Sequence, residues 1–190
     1  MAKGTYDFRL TTAGHDGVTE DGLYVNYGLT QLDLQQGQTL TLAETAGAIV
    51  GTSDMSARIV GGGNPNIDTG SGFVSLSNIT NSYSGDTSVS SGTLRTDVNH
   101  ALGNTQTVHL ATGTTLALNG TTQTIQQFDG KTGSSLNVDG GTLNIARGGT
   151  SLGALQGEGQ LNLTGGDLEV TGANAALKAD TSIVAGATVL

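Results

Sequence analysis

Three short runs place residue types at spacings that chemistry could use. Gly149-Thr150-Ser151-Leu152-Gly153 fits G-x-S-x-G, the turn that lifts a nucleophilic serine off a strand and into a helix. No helix can follow in LGALQGEGQL, and the later histidine that this triad order requires is missing, His109 being the last in the chain. The match is therefore read as accidental. Asp129-Gly130-Lys131-Thr132 has the tail of a phosphate-binding loop, but the first glycine of that motif would have to stand where Ile125 does. His15, His100 and His109 have different surroundings and no metal-ligand spacing, and the nine-residue Gly/Asp repeat of calcium-binding β-rolls is absent. No catalytic residue, metal site or cofactor is expected.

Carboxylates carry more weight. Asp129, Asp139, Glu158, Asp167 and Glu169 could approach one another on neighbouring turns of a tubular fold, the arrangement with which some parallel β-helices cleave acidic polysaccharides. Such enzymes also need cations to hold an anionic sugar, and only Lys131 and Arg147 are near. The acids are more simply read as keeping an exposed strand surface soluble and its edges unpaired.

The composition limits the elements that could position these groups. The 190 residues include 31 Gly and 1 Pro, with 12% charged and 4% aromatic side chains and no Trp. Such a chain is rich in bends and poor in helix formers, while its period-2 runs of Leu, Val and Ile argue against disorder. Sixteen acidic against seven basic residues give a net charge of -9, so no nucleic-acid partner is expected. Zero cysteines exclude disulfides and thiolate chemistry and suit export through an oxidising periplasm. No apolar run is long enough to span a bilayer, and the ending on Thr188-Val189-Leu190 reads as a strand interrupted, hence a fragment of a longer chain.

SSLNVDGGTLNI, Ser134 to Ile145, reads equally as a hairpin or as a solenoid corner. Internal repeats favour the corner. A shift of 25 maps Leu136, Val138, Gly140, Gly141, Leu143 and Ile145 onto Leu161, Leu163, Gly165, Gly166, Leu168 and Val170. A shift back by 20 gives Leu116, Leu118, Gly120 and Ile125, with Gln123 breaking the apolar face. Gly72–Gly92 also aligns with Gly166–Gly186, about four turns away. The expectation is an all-β parallel β-helix of roughly 20–25 residues per turn and about eight or nine turns, a rod about 40 Å long. Leu116, Leu118, Leu136, Val138, Leu143, Ile145, Leu161, Leu163, Leu168 and Val170 should point inward. Residues 1–63 form a less regular β segment of the solenoid, with an exposed loop from His15 to Gly22, and 64–190 carry the regular repeats. A soft boundary falls near Gly61–Pro65.

The segment from Gly72 to Gly120 resembles the β-strand repeat of bacterial autotransporter passengers. The residues that carry this are Val74 and Leu76, Asn81-Ser82-Tyr83-Ser84-Gly85-Asp86-Thr87, Ser91-Gly92-Thr93-Leu94, Ala101-Leu102-Gly103-Asn104, and Leu116-Ala117-Leu118-Asn119-Gly120. Gly22 to Leu34 is similar to a segment of AIDA-type adhesins of enteric bacteria. The resemblance implies a right-handed parallel β-helix, exported and tethered by an outer-membrane barrel absent from this fragment, and displayed on the bacterial surface. It implies adhesion to host cells or extracellular matrix, self-association with the same protein on neighbouring cells, or a role in folding the passenger. In the copy at Gly166–Gly186 the motif tyrosine and glycine become Leu177 and Ala179, so that turn is expected to be built differently.

The leading expectation is a non-enzymatic adhesin segment, stalk or spacer; the alternatives are an autochaperone-like folding block and a carbohydrate-active β-helix. Asp129, Asp139, Asn144 and Asp167, at or beside corners, are the candidate binding residues.

Overall fold

The computed structural model describes residues 2–11, 24–43, 53–172, 177–178, 180–184 and 186–189. The loop from His15 to Gly22 and Ala179 lie outside the described residues. The chain begins with β1 (Lys3–Thr11) and β2 (Tyr24–Leu34), then β3 (Thr39–Ala43), β4 (Asp54–Met55) and β5 (Arg58–Gly61). Two long strands follow, β6 (Asn64–Leu76) and β7 (Thr87–Thr96). Below them the strands come in threes: β8 (Thr107–Leu110), β9 (Thr115–Ala117) and β10 (Thr122–Ile125); β11 (Gln127–Gly130), β12 (Ser135–Asn137) and β13 (Thr142–Ile145); β14 (Gly148–Ser151), β15 (Ala154–Gln156) and β16 (Gln160–Leu163). The chain finishes with β17 (Asp167–Val170), β18 (Asp180–Ile183) and β19 (Thr188–Val189).

β12 and β13 do not pair with each other. Each pairs in parallel with the strands one rung away, Leu136 beside Leu116 and Leu155, Leu143 beside Gln123 and Leu161. The Asp-Gly-Gly stretch is therefore a corner, as the repeats require, and the protein is a parallel β-solenoid. Three faces run along it. The first stacks β3, β6, β7, β8, β11, β14, β17 and β19. The second stacks β4, the later halves of β6 and β7, β9, β12 and β15. The third holds the end of β2, β5, β10, β13, β16 and β18. β6 and β7 turn the corner between the first two faces without a break, through Gly70 and Gly92 in the left-handed region at φ 64° and 74°.

The rung length varies. Thr142 lies beside Gln160, an offset of 18, whereas Thr39 lies beside Asn64, an offset of 25. Eight strands on the first face, spaced about 4.8 Å apart, make a rod nearer 35 Å than 40 Å. The two long-range alignments read from sequence do not fall on stacked positions. Leu136 is above Leu155, not Leu161, which stacks on Leu143 of the third face. Val74 shares the second face with Leu94, whereas Leu168 is on the first face beside Gly149. The shift of 20 is the true rung.

Nine of the ten expected inward residues are at most 4% exposed. The tenth, Val170, is half-buried and packs against the same core. Each fully buried leucine removes enough apolar surface from water to contribute about 2 kcal/mol. Successive rungs thus share one dry column.

The third face departs from this pattern in its upper rungs, where the chain turns instead of running straight. Side-chain amides there replace the strand ladder. Asn81 is 1% exposed and accepts from the Ile59 amide through Oδ1 at 2.8 Å, while its Nδ2 donates to the Ala101 carbonyl at 2.8 Å. Tyr83 fills the core, its hydroxyl 2.9 Å from Thr87 Oγ1, which lies 2.9 Å from Thr105 Oγ1. Burial pushes the Tyr83 hydroxyl far above the ordinary phenol range, against the opposing pull of the Thr87 hydrogen bond. At Gly85 a Cβ would stand 2.2 Å from the Gly63 carbonyl oxygen. The Asn-x-Tyr-x-Gly-x-Thr run is thus a structural device, and each of its four named residues has a packing role. In the later copy, Leu177 bridges to Gly157 after β15, a different place in the rung from that of Tyr83.

The N-terminal end is antiparallel. β1 pairs with β2 from Lys3↔Asp33 to Thr11↔Tyr24, and only Gln31–Leu34 of β2 join the stack, beside β5. The stack itself continues through Gly61–Pro65, since β3 pairs with β6 across it.

Candidate functional site

The richest charged cluster lies on the first face. Ser88, His109, Asp129, Thr150 and Glu169 are successive partners down its outer side. His109 Nδ1 is 3.1 Å from Asp129 Oδ2, and its Nε2 is 3.8 Å from Asp86 Oδ2 on the rung above. Lys131 Nζ donates to both oxygens of Asp129, at 2.9 and 3.0 Å. Partial burial pushes the Asp129 carboxyl up, but the Lys131 and His109 hydrogen bonds outweigh it and hold the group below the usual range. Both carboxylate oxygens are thus engaged within the fold.

The remaining candidates are elsewhere. Asp139 is exposed at the corner after β12, where its Oδ1 accepts from the Glu158 amide at 3.1 Å; with Glu158 and Lys178 it lines a shallow depression. Asn144 lies in mid-strand, its Oδ1 accepting from Asn162 Nδ2 at 2.9 Å and its Nδ2 3.3 Å from Thr124 Oγ1. Asp167 opens β17 on the first face. The fold brings Asp139 and Glu158 onto neighbouring rungs but leaves Asp129, Asp167 and Glu169 on another side. It does not gather Asp129, Asp139, Asn144 and Asp167 into one patch. Arg147 is exposed, and Lys131 is committed to Asp129. Ser151 of the G-x-S-x-G run is 1% exposed and points into the core, where no substrate could meet it.

Two features escaped the sequence reading. One is a corner clamp on the second face: the Arg95 guanidinium lies 4.4 Å from the centre of the Phe73 ring and grips Asp97 at 2.8 and 2.9 Å, while Asn119 donates to Asp97 from the next rung at 2.8 Å. The Arg95 bonds, then Asn119, hold the Asp97 carboxyl low against the effect of burial. The other is the β1–β2 ribbon. Tyr6, Phe8, Leu10 and Tyr27 share one of its faces and are 48, 67, 68 and 70% exposed. Tyr27 packs against Tyr6 and Phe8 with ring centres 6.2 and 6.3 Å apart. The alternation in TYDFRL marks the strand but cannot reveal that its apolar side faces water.

No family model matches the chain, and no solved structure matches it. The chain is 49% identical over 183 residues to an uncharacterized lipoprotein, YdeK, of Escherichia coli K12, and 43% identical over 191 residues to an uncharacterized protein, YuaQ, of the same strain. These matches take in 96% and 100% of the chain, which spans 13% and 14% of the two relatives.

Proposed function

We propose that this chain is a block of rungs from the passenger of a bacterial autotransporter of the AIDA type, a surface-displayed adhesin segment with no enzymatic role. The observation that carries this reading is the outer side of the solenoid. Thr124, Asn144 and Asn162 follow one another on the third face as a ladder of short polar side chains on a rigid, regularly spaced support. Each hydrogen bond such a surface offers a partner is weak, with a net contribution of about 1 kcal/mol, but many repeated over long rods on two cells sum to firm attachment. The partners are host cell surface or extracellular matrix, or the same protein on a neighbouring cell. A relative named as a lipoprotein supports a place in the cell envelope. Display outside the outer membrane, through a barrel that lies beyond this chain, is the finer part of the proposal.

Deletion of these residues from the intact parent protein tests the reading. Surface display should remain and attachment to cells or matrix, or cell–cell aggregation, should weaken. Loss of display with the deletion would mean a folding block instead, and release of sugar from acidic polysaccharide, abolished by Asp139→Asn, would mean an enzyme.

A further inference from the structure

We propose that two copies of this chain associate by packing the apolar faces of their β1–β2 ribbons against each other, sheet on sheet. Alternation along β1 and its register with β2 place Gly4, Tyr6, Phe8, Leu10, Tyr27 and Leu29 on one face, and none of them is charged. Tyr27 meets both Tyr6 and Phe8 across the ribbon, with ring centres 6.2 and 6.3 Å apart. At Gly4 a Cβ would stand 3.0 Å from the Tyr6 ring and 3.1 Å from Leu29 Cδ1, so the missing side chain makes room for that ring over the strand. The rings form one ordered surface. Yet it stands open to solvent, with Tyr6, Phe8, Leu10 and Tyr27 all exposed.

Such a face needs a cover. β5 reaches only Gln31–Leu34 of β2, so from Tyr6↔Leu29 to Thr11↔Tyr24 the sheet is two strands wide, and a ribbon of that width is marginal in water unless a layer packs on it. The exposed side chains present on the order of 500 Å² of apolar surface, toward the upper end of what a monomer leaves open. Set against its like in a second copy, the patch and its partner together lose about 1,000 Å² to the contact, enough for a specific dimer. The two faces carry no charge, so their pairing buries none, and the net charge of -9 on each copy stays outside the contact. Anionic lipid headgroups, by contrast, would lie directly against this acidic chain. The two ribbons then stack about 10 Å apart as a four-stranded sandwich. As a means of joining cells this rests on the adhesin reading above, but dimerisation of the purified chain is read without cells, so its failure leaves the deletion experiment standing.

Sedimentation velocity across a concentration series provides the test. The unaltered chain should form dimers, and added sodium chloride should tighten them, because salt screens the repulsion between two acidic chains and leaves an apolar contact intact. Phe8→Thr and Tyr27→Thr, which keep a strand-forming residue at each place, should each raise the dissociation constant at least about tenfold. Ile79→Thr, which removes an exposed apolar side chain from a turn of the solenoid, should leave it unchanged. In the unaltered chain, which needs no variant to fold, amide-hydrogen exchange along β1 should slow as concentration rises. A monomeric unaltered chain, a dimer that salt weakens, a Phe8→Thr chain that dimerises undiminished, an Ile79→Thr chain that loses the dimer, or exchange in β1 that ignores concentration would overturn the proposal. So would a monomer that binds phosphatidylcholine vesicles through Phe8, which would assign this face to a membrane.

Discussion

The Leu102 amide donates to Gln123 Oε1 at 3.1 Å, joining two rungs inside the core with a side chain where a strand would have used its backbone. The same Gln123 donates through Nε2 to the Val98 carbonyl at 2.8 Å and to Thr121 Oγ1 at 2.9 Å, and it is fully buried. Its strand partner one rung below is Leu143, so repeat logic alone would recommend leucine at 123. The structure gives the opposite advice. Gln123→Leu would strand the Leu102 amide and the Val98 carbonyl away from water, costing about 2–3 kcal/mol. Urea unfolding should therefore show a lower midpoint with an unchanged slope, and a stabilised variant would contradict the account of this rung.

Glycines in this fold differ in what holds them. At Gly85 an added methyl would collide with the Gly63 backbone, whereas at Gly113, with φ 80°, nothing lies within 4 Å of it. Gly113→Ala should cost about 1 kcal/mol, from conformational strain alone. Gly85→Ala forces two rungs apart and should cost about 3 kcal/mol or more. Thermal unfolding of the pair measures the difference directly.

Acid should weaken two clamps. The Asp97 and Asp129 carboxyls are both held below their unfolded values, so their contributions are fully present above the unfolded carboxylate pKa of about 4 and are lost as pH falls through the lower folded values. Asp97→Asn and Asp129→Asn should each be destabilised at neutral pH, by about 1 kcal/mol or less, and should converge on the unaltered chain at low pH. A deficit that persists unchanged into acid would show that the carboxylate charges contribute nothing.

Much of the core was legible in the sequence because alternation and stacking obey the same rule. A residue such as Leu143, apolar between two polar neighbours, is inward on whichever face it sits. Register was harder to read. Strands on all three faces carry the same apolar-x-apolar signature, so a displacement of one rung plus one face aligns as well as a displacement of one rung. Leu136 therefore resembled Leu161 as closely as its real neighbour Leu155. Buried amides were illegible for the opposite reason: Asn81 and Gln123 look like surface residues until the rungs on either side are in place. The ribbon was hidden as well, since antiparallel and parallel strands alternate alike. Candidate surface residues chosen for lying near corners proved scattered, because Asn144 is in mid-strand and Asp129 is tied to Lys131.

Parallel stacking in the register described is the claim on which the rest depends, and the absence of cysteine makes it simple to probe. Asn144 and Asn162 are direct partners on adjacent rungs, where Cα atoms stand about 4.8 Å apart, within the span of a disulfide. Asn137 and Asn162 are equivalent only under the 25-residue repeat and lie on different faces. Mild oxidation should cross-link the Asn144→Cys/Asn162→Cys chain within one molecule and leave the Asn137→Cys/Asn162→Cys chain reduced. The reverse pattern, with the second pair bridged and the first free, would contradict the solenoid as described.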